Sequence, residues 1–455
     1  MFRIEARPES TLKLFFAVAA LSFLPALGFY YVGEEAIFPI SSLEMHRSGS
    51  WLVQVMYGAN IRHNPLFNWT IMFFSGVFGW SHVLEVTRAI AVCSTIGSSI
   101  VLYWLASRLS QDRNFAIFSS LIYLTLFDVA FYRGWLAYVD PLFSFFVFSS
   151  VALLWIAARE AKTGLLLSAL LCLELAFLSK ALTAYVFYGL SALVLLRRHR
   201  TFLLGAPSLI LNFSALLFPP LWFSLLPSSG QGQRMFGEIV SKLSFGGGYL
   251  SELAGFPLEL FLRLSPAAFL AVYFLFRKRE KLHEDAVLAA QIAFCNFLPY
   301  WLAPQSSVRY CMPVYPFFAL LFSFLIWRSG IKLTLRVLGA LLLFKLLFML
   351  VLFPLYQRHY RGKNYYDAAT GIAGETAGFP LYVTDVSSSG LSVTGYLDVL
   401  RRPEAPLTFP PEKWNSGFVL SYSENPSLGK TRKVYKLGGD RLYLLCRGEA
   451  CGFLK

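Results

Sequence analysis

Long apolar stretches recur along this chain, and many reach the roughly 20 residues a helix needs to cross a bilayer. They fall near residues 12–31, 84–107, 114–131, 137–159, 164–178, 181–197, 203–226, 256–276, 285–303, 308–327 and 332–353. Of 455 residues, 56% are hydrophobic and only 15% charged, against about 25% charged in a soluble domain. A water-soluble fold cannot hide that much apolar surface. The expected fold class is an all-α polytopic membrane bundle. The first apolar run follows Arg3, Arg7 and Lys13 with no small-residue cleavage site after it, and reads as a retained span.

The formal net charge of +14 points to nucleic acid at first sight. The positive-inside rule accounts for it better, because the basic residues sit in short loops between spans. The stretch 66–79 is apolar but short and aromatic-rich, as an interfacial helix is. Leaving it out gives eleven spans. With the N-terminus cytoplasmic, the inner loops then carry Arg108 and Arg113; Arg159 and Lys162; Arg197, Arg198 and Arg200; Arg277, Lys278, Arg279 and Lys281; and Arg328. Counting 66–79 as a crossing sends all of these outside, against the rule.

The expected domains are a transmembrane domain over 1–353 and a small α/β domain over 354–455. Within the first, the loops 32–83 and 227–255 face outward, toward the periplasm of a Gram-negative cell, and the second is rich in Gly and Ser, as a mobile lid or a plain connector is. The tail alternates turn residues with the β-like runs PLYVTDV, GFVLSY, KVYKL and RLYLLC. Four cysteines (Cys93, Cys172, Cys295, Cys311) lie in or beside spans; Cys446 and Cys451 form a disulfide only if the tail meets an oxidising compartment. No nucleotide-binding glycine loop or zinc-ligand spacing appears.

Charges at membrane depth mark function by default. Glu34 and Glu35 follow the first span, Arg62 and His63 lie in the first outer loop, and Asp140 opens the fourth span after Arg133. Lys180 sits in a short outer turn, and Arg309 with Tyr310 begins the tenth span. Topology brings them all to one membrane face, as a site for a charged substrate requires. Each also has a structural alternative. Glu34 or Glu35 serves as a solvated helix end; Asp140 before Pro141 serves as an N-cap; Lys180 and Arg309 snorkel to headgroups; Arg62 and His63 are ordinary loop residues. Glu174 and Lys345, nearer mid-span, read as structural, pairing with polar neighbours.

These segments resemble the GT-C glycosyltransferases, the superfamily of lipid A aminoarabinose transferases and protein mannosyltransferases. The first-loop pattern is carried by Glu34-Glu35, Glu44-Met45 and Gly49-Ser50-Trp51, and its proline element by His63-Asn64-Pro65-Leu66 with Trp69. FYRGWLAYVDPLFSFF resembles the second acidic motif, with Asp140 as the acid, and LAFLSKALTAYVF the Ala-Lys-Gly element at Lys180. SSVRYCMPVYPFFALL resembles the Arg-Tyr-x-x-Pro-x-Tyr-Pro signature, at Arg309, Tyr310, Pro313, Tyr315 and Pro316. Five matches occur in order over residues 30–325. Two positions depart: Glu34 stands where the family has aspartate, and His63 after Arg62 where it has lysine.

The resemblance implies an inner-membrane enzyme that takes a sugar from a polyprenyl phosphate, such as undecaprenyl phosphate. The acceptor is lipid A, another glycolipid or glycan, or a protein, and transfer occurs at the periplasmic face with inversion. Glu34 is the expected base, supported by Glu35 or Asp140, and Arg62, His63, Lys180, Arg309 and Tyr310 the donor-phosphate contacts. No cofactor is expected; there is no dedicated metal cage, although two nearby carboxylates can hold a divalent ion. The alternative is a lipid or lipid-linked-sugar transporter, which requires inverted repeats and midplane helix breaks.

Overall fold

The computed structural model describes residues 8–61, 63–226, 237, 249–277, 282–303, 307–402 and 404–452. Most of the chain is helical. Among the described residues six helices are long and apolar enough to cross a membrane: Glu9–Gly28, Trp80–Ser110, Asp140–Glu160, Ala206–Leu225, Val308–Trp327 and Gly330–His359. The stretch 256–276, expected as one span, is instead two helices, Ser251–Arg263 and Ala267–Arg277, bent by 97° at the break. Pro266 lacks an N–H and disfavours helix at Ser265; the Ser265 carbonyl instead accepts the Phe127 N–H at 2.8 Å. Other expected spans are the helices Arg113–Leu124, Thr163–Ser179, Thr183–Leu203 and Glu284–Leu302.

The chain divides into two compact units. The first takes the described residues of 1–24, 91–135 and 139–346. Its centre is the helix Asp140–Glu160, whose most apolar stretch is 83% buried, against 17% for Ala206–Leu225. The latter turns Leu209, Ile210, Phe213, Leu217 and Leu221 outward, which only a lipid environment makes favourable for so many large apolar groups. Mid-span Glu174 accepts from the Tyr185 hydroxyl at 2.5 Å, as its polar-pair expectation required. Lys345 differs. Its buried ammonium has no hydrogen-bond partner among the described residues and lies 3.2 Å from the centre of the Phe23 ring, so an aromatic face replaces the expected polar neighbour.

The second unit takes the described residues of 25–90, 136–138 and 347–455. Here the segment after the first span packs with the C-terminal segment around one core containing Ile40, Tyr57, Leu391, Leu397, Phe418 and Leu444. It contributes the helices Ile37–Ser48 and Leu66–Phe78, with the hairpin of β1 (Val55–Met56) and β2 (Ala59–Asn60) between them. All four β-like runs of the tail form strands: β3 (Leu381–Val383), β4 (Gly417–Ser421), β5 (Lys430–Leu437) and β6 (Asp440–Arg447). They make one sheet in the order β3-β4-β6-β5, with β3 and β4 parallel and the other pairs antiparallel. Helices Lys363–Glu375 and Ser388–Leu400 complete the tail's α/β layer. Cys446 and Cys451 are joined by a disulfide.

One group in this unit couples its stability to pH. Asp398 is buried, with the Arg47 guanidinium only 3.8 Å away and the Leu407 N–H at 3.4 Å. Burial outweighs both and pushes its carboxyl up to about 7, from about 3.9 in an unfolded chain. The folded state therefore binds this proton more tightly, and stability falls as pH rises from about 4 to 7, by at most a few kcal/mol. Asp398→Asn is expected to remove that fall. Thermal unfolding at pH 5 and pH 8 checks it: an equal drop in both proteins counts against the assignment.

Candidate active site

In the second unit, the turn over residues 32–35 exposes Glu34 and buries Glu35 completely. Gly33 takes a φ of +60°, open to glycine without strain, and a Cβ there would stand 3.2 Å from the Tyr138 hydroxyl. That hydroxyl accepts the Glu34 N–H at 3.1 Å. Neither carboxylate is a solvated helix end: both lie in the turn beyond the 3₁₀ helix Leu24–Gly28, and Glu35 is ion-paired to Arg88 at 2.5 Å. His63 is half-buried with its ring stacked on Phe38, centroids 6.1 Å apart. Arg62 lies outside the described residues. Glu44, named by the resemblance, closes the hairpin turn: its carboxylate accepts the Tyr57 N–H at 2.6 Å and the Gly58 N–H at 2.7 Å. Both turn residues have positive φ, 55° and 77°, as a type I′ hairpin requires.

In the first unit, Asp140, Lys180, Arg309 and Tyr310 come together. Asp140 is the first residue of its helix, and the N-cap position is Val139, with no side-chain cap. The Asp140 carboxylate goes instead to Lys180, whose ammonium donates at 2.5 Å. Lys180 follows the C-terminus of the helix Thr163–Ser179 and is only 8% exposed, so it does not snorkel. Its ammonium also lies 4.6 Å from the centre of the Tyr310 ring. The Arg309 guanidinium sits 5.3 Å from the same ring, and the Arg309 and Arg133 charges act on Asp140 as well. Lys180 thus pairs with the buried carboxylate, and two further cations act on it from nearby. Cations gathered at one buried point suit an anionic ligand.

Two further networks bring in residues that were not expected at the site: Arg88, paired with Glu35, and Asp128 with Arg263. Arg88, inside an ordinary apolar run, carries no pattern that names Glu35 as its partner. In the first unit Asp128 accepts from Arg263 at 2.7 Å and from the Tyr315 hydroxyl at 2.9 Å. With the Phe127–Ser265 bond, this pins the 97° bend to the turn after the helix Arg113–Leu124. Tyr315 belongs to the quoted signature, but only contact geometry assigns it to the bend. Among the described residues no three His, Cys, Asp or Glu side chains gather as a metal site.

No family model matches the chain. The undecaprenyl phosphate-alpha-4-amino-4-deoxy-L-arabinose arabinosyl transferase of Edwardsiella ictaluri is 29% identical over 157 residues. Its namesake 2 from Proteus mirabilis is 31% identical over 156 residues. Each match covers 33% of this chain and spans only 28% of the relative's length. Among solved structures, ArnT from Cupriavidus metallidurans bound to undecaprenyl phosphate superposes with a TM-score of 0.73 at 16% identity, over 95% of this chain and 97% of that one. Its apo state gives 0.72 over 96% and 98%. The chain therefore has the fold of that protein.

Proposed function

We propose that this chain is a multi-pass glycosyltransferase of the bacterial inner membrane. It moves a sugar from a polyprenyl-phosphate donor to an envelope acceptor (lipid A, another glycolipid or glycan, or a protein). The observation that carries this reading is the Asp140 cluster, where the ammonium of Lys180 meets the buried carboxylate beside Tyr310 and the charges of Arg309 and Arg133 reach it. A phosphate leaving group needs such gathered cations as its charge develops. The fold shared with a protein solved on undecaprenyl phosphate, and the arabinosyl transferases among the relatives, support the same reading.

The proposed topology has eleven spans, the bent pair Ser251–Arg263 and Ala267–Arg277 counting as one, and a cytoplasmic N-terminus. Residues 1–353 form the transmembrane domain, with 32–83 and 227–255 periplasmic, and 354–455 form a periplasmic domain. The Cys446–Cys451 disulfide supports an oxidising location for the tail. Exposed Phe73, Phe74 and Phe78 on the helix Leu66–Phe78 support an interfacial seat for it. Of the 227–255 segment, Gly237 and the helical residues 249–255 lie within the described residues, and the rest lie outside them.

In the proposed step, Glu34 takes the proton of the acceptor hydroxyl as its oxygen bonds to the anomeric carbon. The anomeric C–O bond to phosphate breaks, its electron pair leaves on the polyprenyl phosphate, and the anomeric centre inverts. Arg309, Lys180, Arg62 and His63 hold the phosphate, Tyr310 donates a further hydrogen bond, and Glu35 and Asp140 support the base and the cations. Mass spectrometry of lipids, glycans and proteins from a deletion strain tests this. An envelope species is expected to lose the mass of one sugar and regain it on complementation with the wild-type gene. Identical profiles in the two strains would overturn the proposal.

A further inference from the structure

Arg88 is fully buried and all five of its N–H groups are used. Nε donates to Glu35 at 2.9 Å; one terminal nitrogen donates to the carbonyls of Ala26 at 2.9 Å and Phe29 at 2.5 Å; the other donates to the Tyr30 carbonyl at 2.8 Å and to Glu35 at 2.5 Å. Glu35 is equally engaged. Beyond Arg88, it accepts the Ala137 N–H at 2.7 Å and the Val32 N–H at 2.8 Å. The pair thus ties the backbone at residues 26, 29, 30, 32 and 137 to one rigid, planar fork. Glu34 stands inside that frame, its own N–H held by Tyr138 at 3.1 Å.

A buried ion pair of this kind is not needed for stability, since packed apolar residues do as well or better. What an apolar pair cannot do is fix the course of a turn through seven separate carbonyl, amide and carboxylate contacts. We propose that Arg88 is a positioning residue for sugar transfer, holding the turn so that the Glu34 carboxylate has one direction. This rests on the reading of Glu34 as the base. It also keeps the adjacent Glu35 charge neutralised, so that Glu34 is not one of two free carboxylates. Lysine cannot substitute: its donors radiate from a single point and cannot reach carbonyls and carboxylate together.

The test uses the purified full chain in lipid nanodiscs, with the polyprenyl-phosphate sugar and the envelope acceptor that the deletion-strain profile identifies. Arg88→Lys is expected to lower kcat about 100-fold, the scale of a misplaced catalytic group, while the donor KM stays within about twofold. Glu35→Gln, which keeps the shape and replaces one acceptor by a donor, is expected to lower kcat about tenfold, again with KM unchanged. It carries the test if Arg88→Lys does not fold. A merely structural role moves the yield and the unfolding temperature but leaves kcat per folded molecule unchanged, and that result overturns the proposal. Glu34→Gln is run beside them. If Glu34→Gln is inactive while the other variants turn over normally, Arg88 loses its role and the base reading stands. If Glu34→Gln turns over normally, the base reading falls and takes the role of Arg88 with it.

Discussion

Glu34→Gln is expected to lower sugar transfer by about a hundred- to ten-thousand-fold, the usual weight of a positioned general base. The change removes the carboxylate and keeps the side-chain shape. Glu34 is exposed, and the hydrogen bond that fixes it in the turn comes from its backbone N–H to Tyr138 at 3.1 Å. The folded protein and its grip on the donor phosphate should therefore be unaltered. Donor KM and the unfolding temperature stay at wild-type values while kcat falls. Single-turnover assays with the donor bound in advance separate the two. A variant that still transfers sugar at the wild-type rate removes Glu34 as the base.

Lys180→Ala is expected to destabilise the protein by about 3–5 kcal/mol, because it leaves a buried carboxylate without its partner. The ion pair is short, 2.5 Å, and both side chains are nearly inaccessible. Replacing both partners, as in Asp140→Asn with Lys180→Met, should recover most of that loss, since neither charge remains to be compensated. Activity should not return, because the phosphate then faces fewer cations. Unfolding temperatures of the single and double variants, with turnover measured on each, check both halves. A double variant as active as wild type would make the pair a purely structural one.

Apolar length located the helices because a bilayer imposes it, and alternation with turn residues located all four strands of the tail. The signature at Arg309-Tyr310, the acid Asp140 and Lys180 also proved to be neighbours, although more than a hundred residues separate Asp140 from Arg309. Pairings inside apolar runs were not legible. Arg88 lies 53 positions from Glu35, and hydropathy registers it only as a dilution of a span. The bend at residues 264–266 was hidden for the same reason: the apolar pattern runs through Leu264 and Ser265, and only Pro266 disturbs it. Asp140 before Pro141 had the look of a helix cap, yet a buried carboxylate prefers a full charge partner to a backbone amide, and Lys180 provides one. The shared core of the first loop and the tail depends on contacts such as Tyr57 to Thr394, a 2.5 Å bond across 337 positions, which no local pattern encodes.

The central claim is covalent transfer rather than movement of an intact lipid-linked sugar. The direct measurement gives the purified protein a polyprenyl-phosphate donor radiolabelled in the sugar that the deletion strain loses, together with the envelope species that loses it. Label is predicted to appear on that species while free polyprenyl phosphate accumulates in equal amount, and neither should occur with Glu34→Gln. Recovery of the donor intact, with its label still on the polyprenyl phosphate, would contradict the account.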